Sequence, residues 1–269
     1  MKKTFLYRFG KKIKMYLALI GVNLFTFYVF LKGLIPFLLD YIKFRKQLKV
    51  SNNKDFNRIS LYPILTDRYE ESGSASGHYF HQDLLIAKRV FINQPDKHVD
   101  LGSRVDGFVA HVAVFKEVEV IDIRKQESKV ENIKFIQADL MNFDDNLIDY
   151  CDSFSSLHAI EHFGLGRYGD PIDANGHVKA LENIHKILKN NGIFYFSTPI
   201  GEQRLEFNAH RVFNIKYLLD FFENKFIVEK FSYVDDNGNL FENIELNENS
   251  VLNNFGCWWG CGIFELRKV

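Results

Sequence analysis

Between residues 98 and 200, short apolar runs alternate with helix-patterned segments, and no other feature of this chain limits its fold as strongly. Residues 98–101, 118–121, 133–137, 152–157 and 193–197 read as strands, with helices expected over 105–116 and 176–189. Strands that alternate with helices must be joined by crossovers, which implies a mainly parallel sheet covered on both faces. Residues 226–234 and 262–266 read as two closing strands with the turn signal Asp236-Asn-Gly238 between them. The expected fold class is therefore α/β, with a mainly parallel seven-stranded sheet and helices on both faces. A helix over 78–94, with Leu84, Leu85, Ala87 and Val90 near helical spacing, leads into the first strand.

Composition narrows the partners. Lys plus Arg and Asp plus Glu each total 34, so the 269-residue chain carries no net basic field, which argues against nucleic acid. The three cysteines, Cys151, Cys257 and Cys261, are too few and too unevenly placed for a disulfide framework, which points to a reducing, cytosolic setting. Cys257-Trp-Trp-Gly-Cys261 supplies two thiols at a poor spacing for zinc, so buried thiols are expected there.

The amino terminus stands apart. Lys2, Lys3, Arg8, Lys11, Lys12 and Lys14 are followed by an uncharged run from Met15 to Leu31, and the apolar character resumes after Lys32 through Leu39. Three readings are open: helices lying on the inner face of a membrane, helices capping a soluble domain, or a true span. A span conflicts with the positive-inside bias if the rest of the chain stays in the cytosol, so residues 1–40 are expected to contact a membrane surface peripherally. Residues 41–75 read as charged and irregular, and Glu71-Ser-Gly-Ser-Ala-Ser-Gly77 as a loop. The expected organisation is a hydrophobic, basic segment over 1–49, a linker and lead-in helix over 50–97, and a ligand-binding domain over 98–269.

In an open parallel sheet the ligand lies beyond the carboxyl ends of the strands, near the point where strand order reverses. Asp100-Leu-Gly-Ser-Arg-Val-Asp-Gly107 sits at the end of the first strand, Asp122 ends the second, and Asp139 follows the third. An acid at the second position accepts hydrogen bonds from ribose hydroxyls, and one at the third accepts the exocyclic amine of adenine. With no phosphate-binding lysine and no Gly-x-Gly-x-x-Gly, these three acids fit an adenosyl ligand better than a dinucleotide, which disfavours a nicotinamide oxidoreductase.

Asp100-Leu-Gly102, Asp122, Ala138-Asp139, Ser156-Leu-His-Ala-Ile-Glu-His162 and Leu188-Lys-Asn-Asn-Gly-Ile193 together resemble the Rossmann-like class I S-adenosylmethionine-dependent methyltransferases. A sharper resemblance, to the methyltransferase-like family called domain of unknown function 268, rests on four segments. These are Gly77-His-Tyr-Phe-His-Gln-Asp83, Asp100 to Phe108, Glu161 to Asp173, and Phe207-Asn-Ala-His-Arg-Val-Phe213. The resemblance implies S-adenosylmethionine as cofactor. Asp100, Gly102, Ser103, Arg104 and Gly107 would border its methionine part, Asp122 and Ile123 its ribose, Asp139 and Leu140 its adenine, with His158 alongside. Where that superfamily continues its loop with further glycines, this chain has Arg104 and Asp106. Arg104 either grips the methionine carboxylate or projects away in an ion pair.

Methyl transfer needs alignment in a dry site, and a base only when the acceptor arrives protonated. His162 is the first candidate base and His210 the second, with Glu161 and Asp170 in the same catalytic cluster; Arg167, Tyr168, Asn208 and Arg211 are candidate acceptor contacts. Asp170, Asp173, His162 and His210 offer donors for a divalent ion at no compact spacing, so no metal is expected. The leading expectation is O-methylation of a glycan or other hydroxyl acceptor at a membrane surface. The competing one is a non-catalytic subunit that kept the fold.

Overall fold

The computed structural model describes residues 16–21, 23–51, 59–142 and 145–269; the basic residues Lys2 to Lys14 lie outside them. The chain divides into two units, one ending at Ser74 and the other spanning Ala75–Val269. The division falls inside the small-residue stretch 71–77, and the helix before the first strand belongs to the larger unit.

In the first unit one helix, Leu24–Ser51, dominates. Residues 41–51, expected to be irregular, continue it, because Lys, Arg, Gln and Leu are good helix formers and no breaker intervenes. Pro36 lies inside the helix, where it forfeits one backbone hydrogen bond. Gly33 abuts the Leu65 backbone so closely that no Cβ fits. Lys32 sits 3.9 Å from the centroid of the Tyr69 ring, and Asp40 pairs with Arg68.

The larger unit is built on an eight-stranded sheet: β1 His98–Leu101, β2 Val118–Asp122, β3 Ile133–Gln137, β4 Cys151–Leu157, β5 Leu188–Ile200, β8 Phe226–Val234, β9 Leu240–Phe241 and β10 Gly260–Lys268. Its order is β3-β2-β1-β4-β5-β10-β8-β9. The first five strands are parallel, β10 runs antiparallel between β5 and β8, and β9 adds an eighth, two-residue edge to the seven expected. Strand order reverses between β1 and β4, which fixes where a ligand can enter. A separate hairpin, β6 Arg204–Glu206 with β7 His210–Val212, was not legible as strands because each is only three residues long.

Alternating side chains supply two cores, one on each face. Val99, Leu101, Phe154, Phe194, Phe196 and Phe264 pack with the helices Gly176–Ile187 and Ile215–Phe222. Val118, Val120, Tyr195 and Ile263 pack with the helix Gly77–Asn93 and with Phe108 and Val112. The helix expected over 105–116 is broken. Residues Val105–Val109 form a wide π turn with Gly107 in a non-helical conformation, and only Ala110–Ala113 is α-helical. A Cβ at Gly107 would collide with the buried Asp83 carboxylate, so the turn bends around that contact.

Candidate functional site

A cleft opens at the carboxyl edge of the sheet. Gly102, Asp122, Ile123, Asp139, Leu140 and His158 line it, bringing the ends of β1 to β4 together. It shares Gly102, Asp122, Arg124, His158 and Tyr168 with a wider, shallower cleft bordered by Ser103, Arg104 and Tyr79.

The floor is set by the turn after β1. Asp100 is fully buried and does not face the cleft; it accepts hydrogen bonds from the Ser103 backbone (3.0 Å) and hydroxyl (2.6 Å) and from the Ser155 hydroxyl (2.5 Å). Burial raises its pKa to about 6, against the pull of these donors. Ser103 in turn accepts from the Leu157 backbone, tying the turn to β4. Gly102 takes a left-handed conformation (φ 66°) within reach of Ala159, where a side chain would be strained. Arg104 pairs with Asp106 (2.8 Å) on the exposed rim, the second of its two expected roles. Gly107 is outside the lining of both clefts and serves the contact with Asp83.

Asp122 carries a partner that the strand-end pattern did not reveal. Arg124 approaches both its oxygens (2.9 and 2.6 Å) and lies 4.5 Å from the Tyr168 ring centroid, while its backbone N–H also donates to Asp122. The spacing Asp-x-Arg in a loop is the available signal, and it is a weak one. Asp139 accepts from the Met141 backbone and the Asn142 side chain, so it shapes its own turn while lining the cleft.

At the β4 end the chemistry changes from carboxylates to histidines. Glu161 is buried with one oxygen 2.8 Å from His158 Nδ1 and 3.8 Å from His162 Nε2; its other oxygen has no hydrogen-bond partner. Burial alone would depress His158, yet the Cys261 sulfur and the Glu161 carboxylate hold it well above its ordinary value; burial likewise opposes Glu161, which His158 keeps below the usual carboxylate range. His162 donates through Nδ1 to the Ala209 carbonyl (2.7 Å), which leaves Nε2 as its lone-pair nitrogen, and burial lowers its pKa. It lines the cleft edge-on to Tyr168, 5.4 Å between centroids. His210 is 6.4 Å from His162 by ring centroids and 3.6 Å from Glu206; burial depresses it too.

Two of the candidate acceptor contacts, Arg211 and Asn208, lie outside the lining of both clefts. Arg211 is buried and donates to the carbonyls of Glu161, Phe163 and Ala174, riveting the loop that follows β4. Asn208 is exposed at the hairpin tip, outside the lining of the clefts. Arg167 donates to Ala209 and flanks Tyr168, and Tyr168 reaches both clefts. Asp170 lines the cleft while accepting from the Gly166 and Tyr168 backbones. Asp173 is taken by Lys179 (2.6 Å), away from His162 and His210.

The family model described as "Caenorhabditis protein of unknown function, DUF268" matches residues 106–254, more than half of the chain. The chain belongs to the DUF268 family. No curated protein matches it. Among solved structures it is similar to the 1,6-didemethyltoxoflavin-N1-methyltransferase of Burkholderia thailandensis with bound 1,6-didemethyltoxoflavin and S-adenosylhomocysteine. That similarity is 13% identity and a TM-score of 0.50 over 70% of this chain and 78% of the other. It is also similar to the N-methyltransferase NodS of Bradyrhizobium japonicum WM9 in complex with S-adenosylhomocysteine, at 12% identity and a TM-score of 0.45 over 71% and 88% of the two chains. At such identities the likeness is one of fold, and the fold is that of the class I S-adenosylmethionine-dependent methyltransferases. Within this DUF268 protein, the matched region holds Asp122, Asp139, His158, Glu161, His162 and His210, whereas the glycine turn after β1 precedes it.

Proposed function

We propose that this DUF268 protein binds S-adenosylmethionine in the cleft and transfers its methyl group to a hydroxyl of a glycan or another small acceptor. One observation carries the reading: Asp122, Asp139, Gly102 and His158 line a single cleft where strand order reverses, and among the described residues no lysine lines it. Arg124 uses Asp122 Oδ1 twice, through its backbone N–H and its Nε, and Oδ2 once, so Oδ2 keeps a lone pair that can accept a ribose hydroxyl. His162, neutral and with Nε2 free to accept, is the base that would take the acceptor proton as its oxygen attacks the methyl carbon and the sulfonium sulfur leaves as a thioether. Calorimetric titration of the full-length chain in detergent with S-adenosylmethionine and S-adenosylhomocysteine, against NADH as control, tests the first half. Binding of the adenosyl ligands alone is expected, and binding of NADH alone would overturn it.

A second reading is a non-catalytic subunit that kept the fold. Two features favour it: Arg104 and Asp106 stand where glycines are usual, and Arg124 already occupies Asp122. Turnover against a panel of sugar acceptors separates the two, since cofactor binding is common to both.

We further propose that this cytosolic protein rests peripherally on a membrane through residues 1–40. The helix Leu24–Ser51 is long and apolar enough to cross one, and it exposes Phe25, Phe27, Tyr28, Leu31, Ile35 and Leu39 along one side. Co-sedimentation of the full chain with anionic vesicles, but not with neutral ones, is the expected result.

A further inference from the structure

Three donors far apart in sequence meet behind the cleft: His78 on the first turn of the helix Gly77–Asn93, His158 just past β4, and Cys261 near the start of β10. Their donor atoms all lie within 4.8 Å of one another. Sheet register brings two of them together, because β5 pairs Ser197 with Leu157 on one side and Pro199 with Cys261 on the other. The helix delivers the third. Gln82, one turn beyond His78, accepts from the Ser197 hydroxyl (2.6 Å) and lies 3.6 Å from the Cys261 sulfur.

The surroundings are those of a built site. His158 and Cys261 are more than nine-tenths buried. His158 directs Nδ1 to the Glu161 carboxylate at 2.8 Å, while its Nε2 is buried without a hydrogen-bond partner. A buried polar nitrogen left unpartnered is costly, and it calls for an explanation. An imidazole held at one nitrogen by a carboxylate, with a metal taking the place of the proton on the other, is the arrangement adopted by metal-ligating histidines. The Trp259 indole packs on the His78 ring at 4.7 Å, so the second imidazole is oriented as well.

We propose that His78, His158 and Cys261 bind a zinc-class divalent cation, with its fourth position open toward the cleft that His158 lines. Two imidazoles and one thiolate match the borderline-soft character of zinc and the three-ligand form of sites that keep an open position. Zinc bond lengths set tetrahedral donors roughly 3.4–3.6 Å apart, so donors that lie up to 4.8 Å apart would draw together by about 1 Å on binding. The Cys261 thiol and the His158 imidazolium each release a proton to solvent as their bonds to the metal form. An acceptor hydroxyl in the fourth position would be acidified beside His162, a role that rests on the methyl-transfer reading, whereas the metal site itself does not.

The test is a titration of the full-length chain in detergent, stripped with chelator and kept reduced, with Co²⁺ and then Zn²⁺ in the absence of any cofactor. One Co²⁺ per chain is expected, with a thiolate-to-cobalt charge-transfer band and tetrahedral d–d absorption that Zn²⁺ abolishes. Cys261→Ser should remove the charge-transfer band, and Glu161→Gln should weaken Zn²⁺ binding by about 10–100-fold. A wild-type chain that is folded by circular dichroism yet shows no thiolate band overturns the proposal without recourse to any variant. So does Zn²⁺ affinity that is unchanged in both Cys261→Ser and His78→Ala.

Discussion

The two sides of the cleft are built on different principles. The side formed by the ends of β1 to β3 takes its carboxylates from consecutive strand ends, and each is locally held: Asp122 by Arg124, Asp139 by Met141 and Asn142. The side formed at β4 gathers histidines, a glutamate and a cysteine from four separate stretches of chain, His78, residues 158–162, His210 and Cys261, and buries most of them. A side whose parts are local tolerates the loss of one part. A side whose parts brace one another in a dry interior does not, because a charge or dipole left behind there has no water to turn to.

Substitutions can break or sharpen that contrast. The largest effect is expected at His162: if it is the base, His162→Ala should lower kcat by about 10²–10⁴-fold while leaving S-adenosylhomocysteine affinity within about twofold, read by steady-state kinetics and calorimetry. Next, Glu161→Ala should destabilise the larger unit by roughly 3–5 kcal/mol in urea titration, since it strands His158 without its partner. On the strand-end side, Asp122→Ala should weaken the cofactor by only about 1–3 kcal/mol with little loss of stability, through lost charge-assisted hydrogen bonds. Unchanged binding in this variant would remove the ribose assignment.

A further effect concerns acid sensitivity. His98, fully buried between Ser153 and Ser155, is pushed down to about 3 by burial, below its ordinary 6.5. Its folded-state pKa is depressed, so the stability it contributes is present above pH 6.5 and is lost as pH falls toward 3, at about 1.4 kcal/mol per pH unit. Burial raises Asp83 and Asp100 to about 6, and these act in the opposite sense. Denaturation of His98→Asn across this range should therefore show a shallower loss in acid than the wild-type chain. An identical slope would mean that His98 is not a neutral core residue.

The two sides also differ in how legible they were. Strand ends can be located from periodicity alone, and Asp122, Asp139, Ile123 and Leu140 line the cleft because each strand in a parallel sheet presents the same edge. Asp100 sits at such an end too, but its side chain points into the β1–β4 layer, a choice made by the hydroxyls of Ser103 and Ser155. Arg211 is a candidate acceptor contact by sequence because it is charged and follows β5, and only the fold shows that three carbonyls of the segment 161–174 turn toward it.

What the sequence determined by itself was the periodic part: the alternation of strand and helix, the two-faced core, and the acids at successive strand ends, all of which follow from residues near one another in the chain. What only the tertiary structure decided was the company each polar group keeps. His78, His158 and Cys261 are brought together by the pairing of β5 with both β4 and β10 and by the docking of one helix turn. Such pairings join residues that are distant in the chain, and no local pattern encodes them.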